Sequence, residues 1–188
     1  MRRALAGMAG ICLAAVMSLA AAAGERMNTL DDFSEGLSPD WSFVTDQVMG
    51  GVSTGKATLE RADGEAFLHL TGRVSTEKKT AVSSRHGSCS SALSRQRPGG
   101  LELEVRGNDQ TYYVHLRGRG PSLPWQFHQA PFEAAADLRV VRIPFDAFRP
   151  RGMILGRPIA PERIRSIAVV AYGRDHEADL AVRRLGWY

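Results

Sequence analysis

Asp46 is the first side chain in this 188-residue chain placed like a functional acid. It stands in the stretch Trp41-Ser-Phe-Val-Thr-Asp46-Gln-Val48-Met49-Gly50-Gly51-Val-Ser53, with two more carboxylates, Glu35 and Asp40, close in sequence. Cleavage of a glycosidic bond uses two carboxyl groups held roughly 5–10 Å apart, so a carboxylate-based hydrolase centred on Asp46 is one chemistry to weigh. A simpler use outweighs it. Gly50-Gly51 reaches positive φ without strain, and Asp46 and Ser53 flank that turn with side chains suited to bonding its free backbone groups. Trp41, Val48 and Met49 are residue types that fill cores.

The remaining chemistry-bearing residues are scattered. His69, His86, His115, His128 and His176 show no metal-ligand spacing. His69, His115 and His128 fall on expected strands, where alternation offers them a solvent face. There is no nucleophile elbow, phosphate loop or dinucleotide fingerprint. No catalytic, cofactor or metal site is assigned, and none of these groups implies an enzyme. Aromatic side chains near Gly/Pro loops are better candidates for recognition. Trp125, Phe127, Tyr112 and Arg117, with Tyr113 beside them, form a candidate binding surface for a sugar or a protein partner.

Residues 1–23 differ in kind from the rest. Arg2 and Arg3 precede an apolar run from Ala4 to Ala20, and Ala21-Ala22-Ala23 supplies small residues ahead of Gly24. That is the layout of a cleaved secretory signal peptide, so the mature chain is expected to be exported, to the periplasm in a bacterium. Cleavage takes away Arg2, Arg3 and no acid, so the formal charge of +4 falls by two, to +2. Arginines and acids are interspersed without a basic run, which argues against nucleic-acid binding. Cys12 leaves with the leader and Cys89 stands alone, so no intrachain disulfide forms. The mature chain carries no second apolar span and must rest on its own core.

The elements that would carry these residues read as short strands. Ala57–Arg61 alternates, Ala62-Asp63-Gly64-Glu65 is a turn signal, and Phe67–Ser75 resumes, which together make a hairpin. Leu101, Leu103 and Val105 alternate strictly with charged residues; Gly107-Asn108-Asp109 turns the chain into Tyr112–Arg117. Trp125–Ala130 and Leu138–Ile143 follow, the latter ended by Pro144. Ile164–Ala171 is continuously apolar, as a central strand is, and Leu180–Tyr188 closes the chain. Pro161-Glu-Arg-Ile offers one helical turn. The pattern predicts a single all-β domain over 24–188, a β-sandwich or jelly roll.

Lys78–Pro98 breaks this pattern. It is Ser/Arg-rich, has neither period, and reads as a long loop. It also has a second reading at the level of the gene. The codon set AAA AAA ACG GCG GTT TCA TCC AGG CAC GGC encodes Lys78–Gly87. Started two bases later, it encodes Lys-Asn-Gly-Gly-Phe-Ile-Gln-Ala-Arg, with a glycine turn and an apolar strand. It begins in a run of adenines, where frames slip. On that reading Lys78–Gln96 is a compensated frameshift.

Trp41 followed by Asp46-Gln-Val48-Met49-Gly50-Gly51-Val-Ser53 resembles the opening motif of the complex I intermediate-associated protein 30 family. Three further stretches are similar in order: Phe67–Ser75, Gly100–Asp109, and Val141-Arg-Ile-Pro144-Phe145-Asp-Ala-Phe148-Arg-Pro150 with Ile164–Ile167. The family has an Asn-Gly-Gly-Phe strand after the Val74-Ser75 position, which the shifted frame supplies. The resemblance implies a galactose-binding-like jelly roll. It also implies a non-catalytic role in binding or assembly through protein contacts, related to respiratory complex I. A carbohydrate-binding module of the cell envelope is the alternative reading.

Overall fold

The strict alternation of Leu101, Leu103 and Val105 dictates a strand with one apolar face. The computed structural model places that strand, with all three residues fully buried, inside a two-sheet sandwich. The structure describes residues 28–44, 53–75, 81–86, 98–119, 126–152 and 159–188; for 81–86 it gives the course of the backbone. The expected leader at 1–23 lies outside these residues.

In chain order the strands are β1 (Asn28–Asp31), β2 (Trp41–Val44), β3 (Thr54–Ala62), β4 (Glu65–Val74), β5 (Ala81–His86), β6 (Gly100–Gly107), β7 (Gln110–Gly118), β8 (Phe127–Ala134), β9 (Arg139–Pro144), β10 (Arg149–Arg151), β11 (Ile164–Ala171) and β12 (His176–Trp187). Single 3-10 turns occupy Phe145–Ala147 and Pro161–Arg163. Sheet A has the order β3-β4-β12-β6-β9, with β1 against the second half of β12; sheet B has the order β10-β8-β7-β11-β5-β2. The ladders of both sheets are antiparallel. The chain is all-β, as the sequence predicts. Among the described residues no helix is long and apolar enough to cross a membrane.

The core lies between the sheets. Sheet A contributes Leu68, Leu70, Leu101, Leu103, Val105, Leu180, Val182, Leu185 and Trp187; sheet B contributes Tyr112, Val114, Leu116, Ala130, Phe132, Ile167 and Val169. Burying one such aliphatic side chain contributes roughly 1.5–3 kcal/mol, so the fold rests on this layer. Asp63 and Gly64 take φ of 53° and 80° in the β3–β4 turn. That left-handed pair is what a two-residue hairpin turn demands and what Asp-Gly supplies.

The Lys78–Pro98 segment requires a correction. Ala81–His86 is a strand, laid between β11 and β2 and paired with both. Ladder bonds on two sides outweigh the poor strand propensity of Ser and Arg. The register sets Ser83 opposite Val169 and Arg85 opposite Ile167.

Candidate functional site

Strands β7, β8, β10 and β11 each turn alternate residues away from the core, and these outward residues converge in cross-strand rows on sheet B. Val170, Tyr113 and Pro131 make one row; Ala168, His115, Gln129 and Arg149 make the next. Ser166 pairs with Arg117, and Phe127 pairs with Arg151. Tyr172, just beyond β11, closes over them. Its ring centroid lies 4.6 Å from that of Tyr113 and 5.3 Å from the His115 ring, edge-on to the latter. His115 stacks on Phe127 with centroids 3.9 Å apart and planes 15° from parallel.

The face has a floor and a rim. His115, Gln129 and Ser166 are buried although they point away from the core. Tyr113, Arg117, Phe127 and Tyr172 are half-buried, and Arg149 and Arg151 are exposed. With its amide oxygen turned toward Arg151, Gln129 accepts from Arg151 Nε at 3.0 Å and Nη2 at 2.8 Å, and its NH2 group faces the Tyr172 hydroxyl. Burial, reinforced by the charges of Arg117 and Arg151, pushes the His115 imidazole down to about 3. His115 is therefore neutral at pH 7, with one ring nitrogen donating and one accepting. Its Nε2 is buried without a hydrogen-bond partner. Burial also lowers the Arg117 guanidinium and raises the Tyr172 hydroxyl. The arrangement offers aromatic planes, an amide, a neutral imidazole and cationic donors.

Of the residues singled out from sequence, Phe127 and Arg117 belong to this face, with Tyr113 between them in phase. Tyr112 does not, which corrects the sequence reading. It shares its phase with Val114 and Leu116, faces the core and is fully buried. Its hydroxyl lies 2.7 Å from Asn108 Oδ1 and accepts the Asp179 backbone N–H at 2.9 Å. Trp125 lies outside the described residues. His128 also departs from the solvent-facing expectation, because it takes the phase of Ala130 and Phe132 and is buried. The sequence reading missed Gln129, Arg151 and Tyr172. Arg151 sits on a three-residue strand that contains Pro150, and Tyr172 follows a strand end; neither leaves a periodic signal.

The opening motif is only partly described. Trp41 is buried against Phe33, with centroids 5.5 Å apart, and its Nε1 donates to Asp31 Oδ2 at 2.7 Å. Ser53 is fully buried, and its Oγ accepts the Ser75 N–H at 3.2 Å, so it ties the start of β3 to the end of β4. Asp46, Val48, Met49, Gly50 and Gly51 lie outside the described residues, as does Cys89. Glu35 lines a groove of about 580 Å³ along residues 29–39 with Asp31 and Asp32. Asp31 there accepts the Phe33 N–H as well as Trp41 Nε1, and Asp32 accepts the Ser34 hydroxyl and N–H, which lower its pKa. These two carboxylates therefore serve as turn-bonding groups. Among the described residues no group of three or more His, Cys, Asp or Glu side chains is placed to hold a metal ion.

A second polar cluster lies on the outside of sheet A. His69 Nδ1 meets Glu60 Oε1 and its Nε2 meets Asp179 Oδ1, both at 2.7 Å, which links β3, β4 and β12. Burial works against the charged imidazole, but its bonds to Asp179 and Glu60 outweigh that and raise its pKa.

Comparison with known proteins fits this architecture. Residues 32–182 match the family model of Complex I intermediate-associated protein 30. No curated protein matches the chain. Among solved structures, it is similar to a family 11 carbohydrate-binding module of a Clostridium thermocellum cellulosomal cellulase, at TM-score 0.67 and 13% identity over 86% of this chain and 94% of that one. The Clostridium thermocellum family 11 module in complex with a β-1,3-1,4-mixed-linked tetrasaccharide superposes at TM-score 0.65 and 12% identity, over 85% and 93% of the two chains. An agarase superposes at TM-score 0.58 and 13% identity, over 84% of this chain but 24% of the enzyme. At these identities the likeness is one of fold.

Proposed function

The chain belongs to the Complex I intermediate-associated protein 30 family, and from that premise we propose that it is a non-catalytic binding domain whose recognition surface is the outer face of sheet B. One observation carries the reading: Tyr113, His115, Phe127, Gln129, Arg151 and Tyr172 are in mutual contact on a face that the core does not use. Half-buried rings beside an amide and an imidazole suit a sugar, whose C–H face stacks while its hydroxyls bond. A sandwich fold shared with a module solved with a tetrasaccharide supports the same reading.

A screen of immobilised glycans tests the proposal. Binding should appear and should disappear with Tyr113→Ala or Phe127→Ala while the melting temperature stays near wild type. Family membership favours a second reading, an assembly-type role through a protein partner. Crosslinking with mass spectrometry in the native cell should then recover one discrete partner, and loss of that partner with Arg117→Ala would place it on the same face. The leader pattern at 1–23 supports export of either kind of binder. The mass of the mature N-terminus tests it, with cleavage expected near Ala23.

A further inference from the structure

One end of this face is cationic among the described residues. Arg149 and Arg151 point outward from β10. Arg151 gives two of its N–H groups to the neutral Gln129 oxygen and has no carboxylate partner among the described residues. Arg149 donates from Nη1 to the Asp146 backbone carbonyl, also a neutral acceptor. His115 adds a ring nitrogen, Nε2, buried without a partner on a side chain that is 7% exposed. Glu133, the acid on the outward side of β8, stands two rows away beyond Pro131, where it accepts the Thr111 hydroxyl at 2.7 Å. A sugar hydroxyl accepts but also donates, so each one still needs an acceptor for its proton. A carboxylate brings acceptors only, and a guanidinium fork fits it in two parallel bonds.

The geometry points to a carboxylated glycan, one bearing uronic acid residues, as the occupant of the Arg149–Arg151 end of sheet B. This rests on the carbohydrate reading of the same face. Tyr113, Phe127 and Tyr172 would hold the ring of one sugar while Arg151 engages the carboxylate of that sugar or its neighbour.

Calorimetric titration of the full mature chain with tri-galacturonate, its methyl ester and the β-1,3-1,4-mixed-linked glucan tetrasaccharide tests the inference. Tri-galacturonate should bind, and the ester and the glucan should bind about tenfold or more weakly, the scale of a charged hydrogen bond. Arg151→Gln should remove the preference, Arg151→Lys should keep part of it, and Arg139→Gln, on the edge strand of sheet A, should leave it unchanged. Equal weakening by Arg139→Gln would reveal general polyanion attraction and overturn the site. Binding of the glucan equal to tri-galacturonate, lost with Tyr113→Ala, would overturn the acidic preference and leave the carbohydrate reading standing. Binding of no glycan would overturn both. A tri-glutamate peptide that binds as tightly through Arg151 would transfer the site to a protein partner.

Discussion

Tyr112 of sheet B and Asp179 of sheet A meet across the sandwich: the Tyr112 hydroxyl accepts the Asp179 backbone N–H at 2.9 Å and lies 3.0 Å from the Asp179 carbonyl. The same hydroxyl reaches Asn108 Oδ1, so one phenol joins β7, β12 and the β6–β7 turn. Tyr112→Phe keeps the ring and removes the oxygen, leaving the part-buried Asp179 N–H without this acceptor. The expected cost is about 1–3 kcal/mol, read as a lower urea midpoint with ligand binding intact. Unchanged stability with lost binding would return Tyr112 to the recognition surface.

Asp179 faces outward as well, through its side chain, and there the fold is pH-sensitive. His69 has a raised pKa in the folded chain, from a usual value of 6.5. The protonated imidazole is the form that Glu60 and Asp179 stabilise, and Glu60 is lowered in turn by its bond to His69. The contribution is fully present below pH 6.5 and is lost as pH rises through the folded-state value. Urea denaturation between pH 5 and 9 should show stability falling through that window. The fall should be absent in His69→Asn, and higher salt should weaken it, since the acids are exposed.

The hairpin, the alternating core strands and the 3-10 turn at Pro161 were legible because each depends on local chemistry. Asp63-Gly64 demands its turn, and Leu101, Leu103 and Val105 keep one phase. The phase of Tyr112-Tyr113 was not legible, because either aromatic suits a core or a rim and only the register with Ile167 and Val169 decides. The recognition face draws on four strands that are distant in sequence, with Arg151 and Tyr172 at element ends, so no local pattern announces it. Strand β5 was hidden because Ser and Arg suit strands poorly, and only pairing, as of position 83 with Val169 and position 85 with Ile167, makes it one.

Those two positions sharpen the gene-level reading. Aligned residue for residue, the shifted frame puts isoleucine at position 83 and alanine at position 85, opposite Val169 and Ile167. Val169 and Ile167 lie in the core, so apolar residues suit the positions opposite them. Resequencing the DNA is expected to show a two-base difference near codon 78 and a compensating change before Gly99. Verified codons that yield no apolar strand in another frame would end the idea, and β5 would then be the weakest strand of sheet B by hydrogen exchange.

The central claim is that ligand binds the outer face of sheet B. NMR titration with tri-galacturonate and with the mixed-linked glucan tetrasaccharide tests it most directly. The account predicts that shift changes gather at Tyr113, His115, Phe127, Gln129, Arg151 and Tyr172 and leave His69 and Asp179 unmoved. Changes centred on His69 and Asp179, or spread evenly over both sheets, would contradict it.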